Sequence, residues 1–261
     1  MTQPASYEQR AREIFGQRAD LYTTSAAHTD QQVLDRLVEI AAPQDDWRVL
    51  DIGTGTGHTA LAFAPHVREV RGLDLTEQML MEARKLASSR GIDHVRFEIA
   101  DVHRLPDELR GTFDLVTCRR AAHHFSDIET ALAQMVGMLR PGGMLLIDDR
   151  SVPEDDWIDE TMHRLDCLHD ESHVRQYRAS RWMELCESAG LEVGTVEPYT
   201  KHRPLSSLTA RVSPGNVREI RAIFDGLSPT ERAKLCVETK DGEQHSTHWY
   251  VIVSARKPVD V

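Results

Sequence analysis

The sequence predicts an α/β protein organised on a mostly parallel sheet with helices on its faces. Three observations carry that expectation. An apolar run, Val49-Leu50-Asp51-Ile52, passes straight into glycines at alternate positions, Gly53, Gly55 and Gly57, and then into a helix-forming stretch. Further apolar runs at 67–73, 95–99, 113–118 and 144–147 alternate with helical spacing, and strands that alternate with helices pack as parallel strands joined by right-handed crossovers. The second run ends in Asp74, about twenty residues beyond the glycine turn, where nucleotide-binding sheets place a carboxylate that accepts from ribose hydroxyls.

The chain has 261 residues, 40% hydrophobic and 28% charged, enough for one large domain with a cap. We read it as a single domain over 1–261, with an N-terminal helical lid at 1–45, a cofactor-binding core at 46–150 and a substrate-side half at 151–261 that carries a helical cap near 204–240. A net charge of −11 disfavours nucleic acid and anionic membranes as partners and favours a small-molecule substrate. No run approaches the ~18 apolar residues of a membrane helix, and the N-terminus lacks the basic and apolar regions of a secretory signal. The expectation is a cytoplasmic protein with no stable membrane insertion; self-association to a homodimer is left open. Cys118, Cys167, Cys186 and Cys236 lie far apart with no C-x-x-C pair, so neither a disulfide framework nor a cysteine zinc site is suggested.

Taken in order, apolar residues fall at helical spacing over Tyr7 to Phe15 and Gln31 to Ala41. Between these helices the hydroxyl-rich stretch from Ala19 to His28 reads either as a plain connector or as a loop able to close over a ligand. In the second case Tyr22 and His28 are substrate-side candidates. The glycine turn lets the backbone approach a ligand closely, with amides pointing outward at a helix N-terminus. Its spacing is G-x-G-x-G, and the third glycine of a dinucleotide fingerprint would fall at His58, which argues for a ligand without a pyrophosphate. Asp101 and Val102 follow the third strand, where a carboxylate can accept from an exocyclic amine such as that of adenine. The fourth strand leads into Arg119-Arg120-Ala121-Ala122-His123-His124-Phe125, then a helix that stops at Arg140-Pro141-Gly142-Gly143. The fifth strand closes on Asp148-Asp149-Arg150. Ligands bind outside the carboxyl ends of such strands at the switch point, so the segments after strands one and four face each other across a crevice. Beyond it, 157–168 and 180–189 read as helices, 191–196 as a strand, 204–234 as mostly helical with a capping box at Ser228-Pro229-Thr230-Glu231, and 248–255 as the last strand. The long connection before that strand reads as a helical insertion capping the crevice.

Asp51-x-Gly53-x-Gly55-x-Gly57, Asp74, Ala100-Asp101 and Leu139-Arg140-Pro141-Gly142-Gly143 resemble the successive motifs of class I S-adenosylmethionine-dependent methyltransferases. More narrowly they resemble the ubiquinone/menaquinone C-methyltransferase-like group. The resemblance implies a Rossmann-like seven-stranded sheet of order 3-2-1-4-5-7-6 with the last strand antiparallel, and S-adenosyl-L-methionine as cofactor. It places Gly53, Gly55 and Gly57 beside the methionyl part, with Asp51 supporting that loop and the amino group. Asp74 would hold the ribose, Asp101 and Val102 would bracket adenine, and Arg119 would lie near the methyl carbon. Thr54 and Leu75, within the same two motifs, complete the cofactor set. Two rivals remain at this level, an NAD(P)-dependent oxidoreductase, which His58 disfavours, and a noncatalytic cofactor-binding protein.

Methyl transfer is an in-line displacement whose rate depends on alignment, and an accepting hydroxyl, thiol, amine or carbon acid often must lose a proton. Histidine is suited to take it near neutral pH. His123 and His124 follow strand four; adjacent side chains point in different directions, so one is expected to act as base or substrate partner and the other to be structural. The pattern H-x-x-x-C-x-H-x-x-x-H at His163, Cys167, His169 and His173 could gather metal ligands. Against it, Cys167 and His169 cannot share a helix face, and the pair at 163 and 167 satisfies ordinary helix packing. The expectation is therefore no metal, with His173 and Arg175 reaching the active-site mouth to bind a carboxylate, phosphate or carbonyl of the substrate.

Overall fold

The computed structural model describes residues 7–22 and 29–259; His28 lies outside the described residues, and Tyr22 enters only through its backbone at the end of a helix. Two helices, α1 (Tyr7–Tyr22) and α2 (Gln31–Ala41), precede β1 (Arg48–Ile52). α2 starts where Asp30 accepts the Val33 amide at its N-cap, and its buried face is the stripe Val33, Leu34, Leu37 and Ala41. The core then alternates through α3 (His58–Phe63), β2 (Glu69–Asp74), α4 (Glu77–Ser89), β3 (Val95–Ile99), β4 (Phe113–Arg119), α5 (Ile128–Met138) and β5 (Leu139–Ser151). β2 starts two residues later than the apolar run because Ala64-Pro65-His66 makes a single 3-10 turn.

Along β1 the side chains alternate between two cores. Leu50 and Ile52 join Phe113, Leu132, Met135 and Trp182 on one face of the sheet, whereas Val49 joins Leu37, Leu61, Phe63 and Leu80 on the other. Complete burial of these groups on both faces is what fixes the strand register.

The second half adds α6 (Asp156–His169), α7 (Ala179–Ser188), β6 (Glu192–Pro204), α8 (Leu205–Thr209), α9 (Pro214–Gly226), α10 (Pro229–Lys234), β7 (Glu238–Lys240) and β8 (Glu243–Arg256). The sheet order is β3-β2-β1-β4-β5-β8-β6, with β7 paired to β8. β1 to β5 run parallel, and β8 lies antiparallel between β5 and β6. This is the expected order once β7 is counted. The hairpin that adds β7 turns at Asp241-Gly242, both at positive φ (52° and 79°), as a two-residue Asp-Gly hairpin turn requires. β6 extends well beyond the short apolar run at 191–196 because it is a half-exposed edge whose side chains alternate rather than bury. α8 and α9 pack on α6 through a third core of Ile158, Met162, Leu165, Leu208, Ile220 and Phe224. Ser228 caps α10 with both bonds of a capping box to Glu231. No helix among the described residues is long and apolar enough to cross a membrane.

Candidate active site

The carboxyl ends of β1, β2 and β4 open onto a cleft that reaches solvent. Its floor is the glycine turn. Gly53, Gly55 and Gly57 take φ of 62°, 53° and 85°, conformations that a residue with a Cβ adopts only with strain. A Cβ on Gly53 would stand 2.5 Å from the Cβ of Ala121, so the segments after β1 and β4 are in contact there. On Gly55 it would meet nothing within 4 Å, because that face is the cleft itself.

Buried polar groups hold the turn in shape. Asp51, 1% exposed, accepts from the Thr54 hydroxyl at 2.6 Å and the Thr117 hydroxyl at 2.7 Å. Burial pushes its carboxyl up to about 6 in spite of those bonds. It braces the loop from behind rather than lining the cleft. Asp74 crosses from β2: one oxygen accepts the Gly55 amide at 2.8 Å and the other the Thr76 amide at 2.9 Å. Asp74 itself lines the cleft, and a carboxylate oxygen can accept more than one hydrogen bond. Leu75, Val102 and Thr54 also contribute to the wall. Asp101 accepts both the backbone N–H and the Nδ1–H of His103 on one oxygen, each at 2.9 Å, leaving the other for a ligand. His103 then accepts the Asp127 amide on Nε2 at 3.3 Å. That histidine lines the cleft and sequence reasoning passed over it; its only signal was its place two residues after Asp101.

Across the cleft, Arg119 is 7% exposed and donates from Nε to the Thr59 hydroxyl at 2.8 Å. Burial lowers its pKa, but a guanidinium stays charged. Arg120, at a positive φ of 54°, is held by Asp148 at 3.1 Å and the Tyr199 hydroxyl at 2.8 Å, with its guanidinium 3.6 Å over the Tyr250 ring.

The adjacent histidines part as their geometry demands. His123 is buried and outside the cleft wall. Its Nδ1 lies 2.5 Å and its amide 2.9 Å from the Asp149 carboxylate. Burial, reinforced by the neighbouring His124, presses its imidazole well below the usual range, so it stands neutral with Nδ1–H donating. Its carbonyl accepts the Val174 and Arg175 amides, a structural role. His124 lines the cleft, with Phe15 of α1 edge-on to its ring at 4.9 Å. Its Nδ1 lies 3.0 Å from the Ser172 carbonyl and 3.1 Å from the Ser172 hydroxyl, which itself donates to Asp170 at 2.6 Å. Burial raises the Asp170 carboxyl, but His124 and the Ser172 bonds outweigh it and hold it well below the ordinary carboxylate range.

His173 and Arg175 do not line the cleft. The loop that carries them is drawn against α6: Arg175 pairs with Asp159 at 2.7 Å, and His173, 6% exposed, bonds Gln176 at 2.9 Å. Burial pushes His173 down to about 4. The helices at 205–234 are likewise set on α6 and contribute none of the cleft-lining residues; α1, through Glu8, Ala11 and Phe15, closes the cleft instead.

The fold and this site define an enzyme class: an α/β protein with a glycine turn after β1 and a carboxylate at the end of β2 on one cleft, and with His58 where a dinucleotide fingerprint has its third glycine. A model of the methyltransferase domain matches residues 49–143. An uncharacterized methyltransferase of Bacillus subtilis, YcgJ, is 38% identical over 187 residues, spanning 71% of this chain and 73% of its own. Its crystal structure superposes with a TM-score of 0.82 at 30% identity, covering 88% of this chain and 100% of that one. A demethylmenaquinone methyltransferase of Thermus thermophilus is 40% identical over 114 residues, 43% of this chain and 51% of that protein. The chain belongs to the S-adenosylmethionine-dependent methyltransferases, and S-adenosylmethionine is its cofactor; nothing supports an oxidoreductase.

The residues present fit that cofactor. The open face at Gly55 leaves space where a Cβ would stand. The acceptors of Asp74 and Asp101 suit ribose hydroxyls and an exocyclic amine, and Arg119 suits a carboxylate.

Proposed function

We propose that this enzyme methylates a small organic metabolite whose accepting atom carries a proton, and that His124 removes that proton. The observation behind the proposal is the 3.0 Å contact between His124 Nδ1 and the Ser172 carbonyl. A carbonyl oxygen can only accept, so the bond to Ser172 requires the hydrogen on Nδ1, which leaves Nε2 as the basic atom of a ring in the cleft wall. Asp170, bonded to the Ser172 hydroxyl, supports positive charge on that ring when the proton arrives. Bound S-adenosylmethionine supplies an electrophilic methyl on a sulfonium. The chain's own part is to hold, align and deprotonate: the glycine turn, Asp74, Asp101 and Arg119 bind, Phe15 excludes water, and His124 takes the proton. Tyr22 and His28 are proposed to contact substrate.

The demethylmenaquinone methyltransferase among the relatives makes a hydroquinone-like ring the first acceptor class to try. Four free cysteines, two of them exposed, support a reducing cytoplasmic setting. The test is transfer of a labelled methyl from S-adenosylmethionine to hydroquinone, phenol and carbon-acid acceptors. Product formed by the wild type and lost in His124→Ala, with cofactor binding retained, is the expected result. Turnover that survives His124→Ala would remove this histidine from the chemistry.

A further inference from the structure

We propose that the side chains of His163, Cys167 and His173 form a binding site for a borderline-soft divalent cation, zinc foremost, on the far side of the active-site loop from the cleft. The inference is independent of the methyl-transfer chemistry. His163 and Cys167 are four residues apart on α6 and share a face. The sequence pattern counted against a metal because the next histidine, His169, diverges, and it does turn away, bonding the Leu208 carbonyl at 2.8 Å. His173 takes its place from the following loop, brought there as its amide bonds the Asp170 carbonyl.

One donor atom from each of the three lies within 4.8 Å of the others. His163 Nδ1 and His173 Nε2 are 3.3 Å apart, the roughly 3.3 Å expected of two nitrogens that each stand about 2.0–2.1 Å from one tetrahedral zinc. The Cys167 sulfur is 3.9 Å from His163 Nδ1, close to the roughly 3.6 Å that a thiolate and an imidazole on one zinc would show. Gln176 supplies a fourth group. Its amide nitrogen donates to the Asp159 carbonyl at 3.2 Å, which turns its oxygen to within 2.9 Å of His173 Nε2. The adjoining cation, Arg175, is neutralised by Asp159.

Two imidazoles, a thiolate and a carbonyl or water are the donor set that zinc and cobalt(II) favour over magnesium or calcium. Binding releases the Cys167 thiol proton and moves the His173 N–H from Nε2 to Nδ1, a buried atom that no hydrogen bond now commits to either form. The loop so clamped also carries Ser172, the residue that orients His124, so occupancy would stiffen the catalytic wall from behind.

The test uses the full chain titrated with zinc alone by calorimetry, and with cobalt(II) by absorption. We expect one equivalent to bind, with a thiolate-to-cobalt charge-transfer band. Loss of a direct ligand in Cys167→Ser or His163→Ala should weaken binding by more than about 100-fold, beyond the roughly 10–100-fold that outer partners cost. The band should vanish in Cys167→Ser, and His66→Ala, at an exposed histidine elsewhere, should bind as the wild type does. Cys167 is exposed, so its serine variant keeps the fold. No stoichiometric uptake, no thiolate band, or wild-type affinity in both ligand variants would overturn the assignment.

Discussion

His124 Nδ1 sits 3.0 Å from the carbonyl oxygen of Ser172, forty-eight residues away in sequence. Because that oxygen cannot donate, the contact fixes which ring nitrogen is basic. Replacing His124 by Ala should lower kcat by about 10²–10⁴-fold, the usual worth of a positioned general base. Affinity for S-adenosylhomocysteine, measured by calorimetry, should stay within about twofold, since the acceptors proposed to hold the cofactor are Asp74 and Asp101. A parallel fall in both quantities would make His124 a cofactor ligand instead.

Much of this was legible in the chain. The alternating glycines, the acid closing β2 and the Asp-Val pair after β3 all end up around one cleft, because each is tied to a strand end by local geometry. What sequence could not give was side-chain direction beyond the elements. Nothing in Ala-Ala-His-His-Phe says that the first histidine is sealed against Asp149 and the second faces the cleft; that depends on pairings with residues 149 and 172. His173 and Arg175 were misplaced for the same reason, since Asp159 on α6, sixteen residues before Arg175, decides where the guanidinium goes. The Asp241-Gly242 hairpin, by contrast, carried a readable turn signal that was overlooked.

Asp74 bridges the glycine turn to the end of β2 by accepting one amide on each oxygen. In Asp74→Asn one of those amides would face an NH2 group, and the ribose hydroxyls would lose an ionised acceptor. Hydrogen bonds to charged groups contribute about 1.5–3 kcal/mol, so the Kd for S-adenosylhomocysteine should rise roughly 10–100-fold. Titration calorimetry reads this directly, and an unchanged Kd would show that the ribose is held elsewhere.

The glycines of the turn should fail in different ways. Gly53→Ala combines a φ of 62° with a Cβ 2.5 Å from that of Ala121, a clash between two backbones' worth of structure, and should cost more than about 3 kcal/mol of stability. Gly55→Ala meets no neighbour within 4 Å, so only the left-handed backbone opposes it, at about 1–2 kcal/mol. Its methyl would project into the cleft, however, and cofactor affinity should fall. Denaturant midpoints set beside calorimetry separate the two; equal stability losses would contradict the assignment of the open face.

His248 on β8 is 2% exposed, and its Nε2 has no hydrogen bond partner. Burial first, with Arg203 next, pushes it down to about 3, against the opposing pull of Asp166. The unfolded chain binds this proton near pH 6.5 while the native state refuses it until about pH 3, so stability is whole above the unfolded value and falls as pH drops through that window. The full effect is bounded at on the order of 5 kcal/mol. His248→Gln, which cannot titrate, should therefore lose less stability than the wild type between pH 7 and pH 4, by roughly 3 kcal/mol. Urea melts at the two pH values measure the difference, and parallel acid limbs for wild type and variant would mean that His248 takes up its proton inside the folded protein.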